Sequence, residues 1–326
     1  MRLLVLGGTK FLGRAIVEEA LARGHEVTTF TRGETNPELF PEAERLRGDR
    51  DGDLSALDGR TWDAVIDTSG YVPRLVRASA ETLRDSGFYV FVSSISVYAE
   101  LPPGYDESNP VDELDDPETE DIRAHYGALK AACERVVDDV FGERAAHLRF
   151  GLIVGPHDPT DRFTYWPDRV ARGGEVLAPG GPERAWQFVD VRDGAAFALQ
   201  VAERRLSGPF NVTNSSTAGE VLAGADATWV DDSFLLERGV GEWMELPLWV
   251  AGDGELGSLH TADTSRAREA GLRQRPVSQT VADTHAWSAA RTEPGAGTAA
   301  MGGTEGVGLD PAKERELLAA WRERSG

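Results

Sequence analysis

Apolar positions along the first half of the chain follow two alternating rhythms. Arg2–Gly7 is a short apolar run, Leu3 to Leu6, closed by glycines, which is the pattern of a buried strand. From Phe11 to Arg23 the positions Leu12, Ile16 and Ala20, joined by Val17 and Leu21, recur at helical spacing, and Gly24 ends the run. His25–Thr31 returns to a strand rich in β-branched residues. Strand, glycine turn, helix and strand make a βαβ unit of about 30 residues. Asp63–Thr68 and Phe88–Ser93 predict two more strands, with a helix over about 74–86 between them. Tyr126–Phe141 predicts a helix and His147–Val154 a strand. This alternation predicts an α/β fold of Rossmann type, a doubly wound parallel sheet covered on both faces.

The rhythm breaks between Glu100 and Asp121, an acidic stretch with Pro102, Pro103, Pro110 and Pro117, which predicts a long surface excursion. It changes character again after Gly155. The expected organisation is a dinucleotide-binding domain over residues 1–156, carrying the catalytic helix, and a smaller substrate-binding region over 157–292. Of the latter, about 186–212 returns to the first domain. A glycine-rich linker over 293–308 and a closing helix over 309–326 follow. Asp310 is the predicted N-cap of that helix and Pro311 its first residue, with Leu317, Leu318 and Trp321 on one face.

Composition narrows the partners. The formal charge of −21 over 326 residues repels phosphate backbones, so no nucleic acid is expected. No apolar run reaches membrane-spanning length, and the apolar run after Met1 is too short for a leader, so no membrane partner and a cytoplasmic location are expected. The single Cys133 rules out an internal disulfide framework and a cysteine-built zinc site. A small-molecule substrate is the expected partner, and a homodimer is compatible with this reading. Basic residues are nearly all arginine: the only lysines are Lys10, Lys130 and Lys313.

Candidate chemistry lies at the predicted strand ends. Gly7-Gly8-Thr9-Lys10-Phe11-Leu12-Gly13 sits where a strand turns into a helix. There, backbone N–H groups can approach a pyrophosphate if no Cβ intervenes. Lys10 stands where such loops have their middle glycine and brings a cation to the phosphates. The second strand ends Thr31-Arg32; an acid there would bind a ribose 2′-hydroxyl, whereas Arg32 suits a 2′-phosphate. Both features favour NADP(H) over NAD(H). Tyr126 and Lys130 are four residues apart in a helix and share a face. A phenol titrates near pH ~10, and an adjacent ammonium favours the phenolate, so the pair can exchange a proton with a substrate oxygen. Ser94, at the end of a predicted strand, is placed to hydrogen-bond a substrate carbonyl.

These motifs resemble the extended or atypical short-chain dehydrogenase/reductases of the NAD-dependent epimerase/dehydratase superfamily. The resemblance runs from Met1 to about Val212 through the glycine loop, Val92-Ser93-Ser94-Ile95-Ser96-Val97-Tyr98, Tyr126-Gly-Ala-Leu-Lys130 and Val154-Gly155-Pro156. It implies Ser94, Tyr126 and Lys130 as the catalytic set and Lys130 as the holder of the nicotinamide ribose. It also implies Asp49 and Arg50 near the adenine, with Ser69 and Gly70 beside the cofactor. The charged residue in the glycine loop is similar to an atypical subgroup that includes chloroplast RNA-binding proteins.

Two departures narrow the reaction. The family's sugar dehydratases carry an Asp-Glu pair after the catalytic Ser/Thr, where this chain has Ile95 and Ser96, so elimination is not expected. Its nucleotide-sugar epimerases carry a diphosphate-binding Arg where this chain has Trp186, which has one N–H donor and no charge. The aromatic run Phe163, Tyr165, Trp166, with Trp186, Tyr71 and Ser96, is the expected substrate wall. The expected activity is NADPH-dependent reduction of a carbonyl, or the reverse alcohol oxidation, on a small non-nucleotide substrate. The alternatives are an epimerase, a sugar derivative being one candidate substrate, and a non-catalytic dinucleotide- or RNA-binding protein.

Overall fold

The computed structural model describes residues 1–252, 254, 256–292 and 306–325. Most of the expected linker, 293–305, lies outside the described residues. The chain divides into two compact units. The first comprises Met1–Ile153, Val191–Thr213 and Asp263–Gln274; the second comprises Val154–Asp190, Asn214–Ala262 and Arg275–Gly326.

The first unit is built on a seven-stranded sheet. Its strands are β1 (Arg2–Leu6), β2 (Glu26–Thr31), β3 (Glu44–Arg47), β4 (Ala64–Asp67), β5 (Tyr89–Ser94), β6 (Ala145–Phe150) and the strand Gly208–Val212. Spatial order runs Gly208–Val212, β6, β5, β4, β1, β2, β3, and every pairing is parallel. The chain therefore winds outward in both directions from the boundary between β1 and β4. That reversal is where open parallel sheets bind ligands, beyond the carboxyl ends of the strands. Register brings Leu6, Asp67 and Phe91 level across β1, β4 and β5, so the segments following the first two strands emerge together.

Apolar faces explain the layering. In α1 (Phe11–Ala22) the buried residues Leu12, Ile16, Val17 and Ala20 form one stripe, and the helix packs with Val191–Arg204. α2 (Pro73–Thr82) packs with α3 (Ile122–Phe141). On their side, Leu4, Leu6, Val65, Val76, Tyr89, Phe91, Val137 and Phe141 form a continuous core. Both faces of the sheet are thereby covered, as parallel strands require.

Three local differences from the sequence pattern have physical causes. β3 was not predicted; its sequence, Glu-Arg-Leu-Arg, is polar because it is an edge strand whose Leu46 alone packs on the core. α3 begins at Ile122, a turn earlier than the apolar spacing indicates. Asp121 caps it, accepting from the N–H groups of Arg123 and Ala124 at 3.0 and 3.2 Å, and the backbone then kinks at His125 (φ −129°, ψ 30°). That first turn is exposed and has no apolar stripe to read. The segment Asp263–Gln274, expected within the substrate-binding region of 157–292, belongs to the first unit because its helix Ser265–Ala270 packs on the strand Gly208–Val212.

The second unit contains a two-stranded parallel pairing of Glu175–Pro179 with Asp226–Val230 and the helices Tyr165–Ala171, Val277–Ala290 and Pro311–Ser325. Its core is aromatic: Trp166 stacks on Trp186 with centroids 5.0 Å apart, and Phe163 on Phe188 at 4.9 Å. The closing helix starts as its sequence predicts, with Asp310 accepting from the N–H groups of Ala312 and Lys313 at 2.8 and 3.1 Å. Among the described residues no helix is long and apolar enough to cross a membrane, and no cluster of His, Cys, Asp or Glu has metal-binding geometry.

Candidate active site

The loop between β1 and α1 is shaped by backbone that only glycine adopts easily. Gly7 and Gly8 have φ of +105° and +106°. A Cβ on Gly7 would lie 2.4 Å from Thr68 Oγ1, and one on Gly13 would lie 2.8 Å from the nitrogen of Gly8. Gly13 thus lets the first turn of α1 fold against the loop itself. Lys10 is the N-cap residue, exposed and with no side-chain capping bond, and the first turn contains no acid. Phe11 follows with φ +33°, and Leu12 is buried. Thr9 presents its carbonyl to Asn36 Nδ2 at 2.9 Å. A helix N-terminus free of acids, glycine clearance and an exposed cation together fit the pyrophosphate of a dinucleotide.

At the end of β2, Thr31 Oγ1 accepts from the Gly33 N–H at 3.2 Å. Arg32 is exposed and contacts Glu34 at 3.3 Å, a solvent-screened pair that competes weakly with other anions. Asp49 is exposed and caps the Asp51 N–H at 3.0 Å. Arg50 is half-buried. Its guanidinium turns inward and forms a bidentate pair with the fully buried Asp67, at 2.7 and 2.8 Å. Burial alone would raise the Asp67 carboxyl, and the paired arginine holds it below its usual pKa against that effect.

Ser94 closes β5. Its Oγ accepts from the Ser96 N–H and donates to Ser96 Oγ, both at 3.1 Å, so it caps the short helical turn 95–97 as well as standing at the carboxyl end of β5. α3 packs directly on that turn. A Cβ on Gly127 would lie 2.0 Å from the Ser96 carbonyl oxygen, so the residue after Tyr126 must be glycine for the helix to approach. Sequence reading passed over Gly127, although a lone glycine inside a helical pattern is a sign of close packing.

Tyr126 is half-buried and Lys130 is buried. Lys130 Nζ donates to the carbonyls of Gly70 at 2.6 Å and Val92 at 2.9 Å. It lies 4.4 Å from the ring centre of Tyr71 and 4.9 Å from that of Phe91. Burial, the largest influence, pulls its pKa down to about 8. The half-exposed Tyr71 ring is 6.4 Å from that of Tyr126. The structure therefore gathers Tyr71, Tyr126 and Lys130, and separately Ser94 and Ser96, around the carboxyl ends of β4 and β5. One turn beyond Lys130, Glu134 accepts from Ser93 Oγ at 2.5 Å and from Arg149 at 2.7 and 3.1 Å, which ties α3 to β5 and β6.

The expected aromatic wall stands differently. Phe163, Trp166 and Trp186 have no solvent exposure and pack on one another or on Phe188; Trp166 Nε1 donates to the Pro247 carbonyl at 2.7 Å. These three rings are core of the second unit and are corrected to that role. Their size and apolarity, which suggested a wall, serve packing instead. Tyr165 is half-buried and rests edge-on against Trp166 at 4.9 Å. The arginines near this segment are committed: Arg169 to Glu314 at 2.8 Å and Arg184 to Asp232 at 2.6 Å.

A parallel sheet with this switch point, glycine loop and Tyr–Lys helix defines a Rossmann-type dinucleotide-binding enzyme fold. The sequence profile of the NAD dependent epimerase/dehydratase family matches residues 3–76 and 70–213, and the chain belongs to that family. It is similar to "Chloroplast stem-loop binding protein of 41 kDa b" of Arabidopsis thaliana, 25% identical over 61% of this chain and 54% of that protein, so only about half of that relative's length is spanned. It is 27% identical to a "3-diazoavenalumate denitrifying reductase" of a Streptomyces species, over 67% of this chain and 77% of the other. Its fold matches the UDP-glucuronic acid 4-epimerase of Bacillus cereus, solved in complex with NAD, at a TM-score of 0.60 and 16% identity, covering 88% of this chain and 98% of that one.

Proposed function

We propose that this chain reduces a carbonyl of a small, non-nucleotide substrate with NADPH, or oxidises the corresponding alcohol. The observation that carries the reading is the joint presence of Ser94, Tyr126 and Lys130 with sequence positions that lack the charges of the family's dehydratases and nucleotide-sugar epimerases. Ile95 and Ser96 supply no carboxylate for elimination, and Trp186, a core residue, supplies no cation for a diphosphate. The reductase among the relatives supports the same direction.

In this reading the N–H groups of Gly7–Gly13 hold the pyrophosphate, Lys10 and Arg32 favour the phosphorylated cofactor, and Lys130 holds the nicotinamide ribose. The bound nicotinamide supplies or removes the hydride. Ser94 donates to the substrate carbonyl oxygen, and Tyr126 gives that oxygen its proton as negative charge develops there. The Lys130 ammonium stabilises the phenolate that remains. Tyr71 flanks the reacting group, its ring against both catalytic side chains.

The epimerase reading draws on the fold likeness to a UDP-sugar epimerase. The RNA-binding reading draws on the name of the chloroplast relative, and the net charge of −21 opposes it for this chain. One experiment separates the three. NADPH oxidation is followed with a panel of aromatic and alicyclic ketones, and binding of UDP- and dTDP-sugars is followed by calorimetry with cofactor present. Ketone turnover without nucleotide-sugar binding is expected. Micromolar binding of a UDP-sugar without ketone turnover would overturn the reductase reading in favour of the epimerase. Absence of both turnover and nicotinamide-dinucleotide binding would leave only the non-catalytic class.

A further inference from the structure

The ion pair of Arg50 and Asp67 lies beneath a three-residue turn, Thr68–Gly70, that touches both halves of the candidate site. Toward the glycine loop, the turn is anchored on the last residue of β1. The Leu6 carbonyl accepts from the Thr68 N–H at 3.1 Å, from Thr68 Oγ1 at 2.9 Å and from Ser69 Oγ at 3.3 Å. Thr68 Oγ1 also occupies the space a Cβ would need on Gly7, and it would lie 3.1 Å from one on Gly13. Toward the catalytic helix, the Gly70 carbonyl is the 2.6 Å acceptor of Lys130 Nζ.

The shape of the turn is fixed from below. Asp67 Oδ1 accepts from the Ser69 N–H at 3.0 Å, folding the chain back over the carboxylate. Its Oδ2 accepts from the buried Tyr89 hydroxyl at 2.8 Å. Beyond its bidentate grip on Asp67, Arg50 donates to Ser69 Oγ at 3.3 Å and to Ser79 Oγ on α2 at 2.6 Å. Gly70 has no room for a side chain: a Cβ would come within 2.6 Å of the Phe91 ring and 3.0 Å of Asp67 Oδ2. A bidentate arginine fork is directional, so it sets orientation as well as neutralising charge.

We propose that Arg50 and Asp67 are a positioning pair, fixing the Thr68–Gly70 turn so that it braces the glycine loop on one side and aims the Gly70 carbonyl at Lys130 on the other. Neither residue touches the reacting atoms. Their consequence for catalysis rests on the reading of Tyr126 and Lys130 given above; their hold on Lys130 does not.

The three lysines make the test direct. In protein labelled with 13Cε-lysine, Lys10, Lys130 and Lys313 give three signals, assigned by single Lys→Arg variants, and pH titration follows each ammonium separately. Burial holds Lys130 down, to about 8; the charged or titratable groups facing it are Cys133, Asp67, Arg50 and Glu134, with the phenols of Tyr71 and, one turn earlier on α3, Tyr126. The variant is the double replacement Arg50→Met with Asp67→Leu, which removes both charges together so that neither member of the pair is left buried without the other. Asp67 raises and Arg50 lowers the Lys130 value, so their direct electrostatic effects oppose each other in the double variant. What remains is the turn.

If the pair positions it, the turn loosens, water reaches the ammonium, and Lys130 moves up by at least about one pH unit toward the ordinary value of ~10.4. Dinucleotide affinity falls about tenfold in the same variant, equivalent to ~1.4 kcal/mol. Ser69→Ala, which removes one strut and leaves the ion pair whole, gives a smaller upward move and serves alone if the double variant does not fold. An unchanged Lys130 titration in the folded double variant, or in Ser69→Ala when only that one folds, overturns the proposal whatever the melting temperature does. If the wild type binds no nicotinamide dinucleotide, the functional reading fails, while the lysine titration still decides the role of the pair.

Discussion

The two units bury charge in different ways. In the first, Lys130, Asp67 with Arg50, and Glu134 with Arg149 are drawn toward the carboxyl ends of the parallel strands, near Ser94 and Tyr126. In the second, buried charge joins segments far apart in the chain. Arg169 on the helix Tyr165–Ala171 meets Glu314 on the closing helix, and Glu314 also accepts from the Leu177 N–H at 3.1 Å. Arg169 further donates to the carbonyls of Gly173 and Glu175. The first arrangement orients groups that can react. The second fastens the C-terminal helix to its unit, with the half-buried phenol of Tyr165 beside the pair but no strand end or glycine loop next to it among the described residues. Burial of charge alone is therefore no mark of an active site; its place in the sheet topology decides.

That contrast is sharpest at Tyr126. Tyr126→Phe removes a proton and little packing, so kcat should fall by roughly 10²- to 10⁴-fold while dinucleotide affinity and melting temperature stay put. Normal turnover in this variant on a substrate of the wild type would remove the phenol from the mechanism. Glu314→Ala should do the opposite. It strands the buried Arg169 and should cost about 3–5 kcal/mol, read as a lower urea midpoint, with cofactor affinity kept at temperatures where the protein stays folded. A midpoint equal to the wild type would show that the closing helix is not held by this pair. The smallest effect concerns Arg32. Arg32→Ala should weaken NADPH about tenfold, ~1.4 kcal/mol, and leave NADH unchanged, as followed by fluorescence titration. Equal weakening of both cofactors, or of neither, would detach Arg32 from the 2′-phosphate.

The first unit could be read from sequence because its determinants are local. Strands β1 and β2 and helix α1 follow from apolar period, and the glycine loop from residues whose φ angles leave little choice. Tyr126 and Lys130 follow from a helical spacing. What escaped reading depended on partners distant in sequence. Arg50 is charged and next to an exposed aspartate, and nothing local says that its guanidinium finds Asp67 inside the protein. Gly127 acquires its meaning only from the carbonyl of Ser96. The aromatic run Phe163–Trp166 was equally suited to a wall or a core, and only the stacking of Trp166 on Trp186 distinguishes them.

The two ends of the seven-stranded sheet carry a consequence for self-association. A bare strand edge is a template on which another copy can add its own strand, the first step toward aggregates. At one end, β3 presents Glu44, Arg45 and Arg47, charges that an incoming strand would have to desolvate. At the other, Gly208–Val212 contains Pro209, which has no N–H to offer a new neighbour. Both edges are guarded, one by charge and one by a missing donor. Two copies of this chain that associate should accordingly do so through other surfaces, without merging their sheets into one.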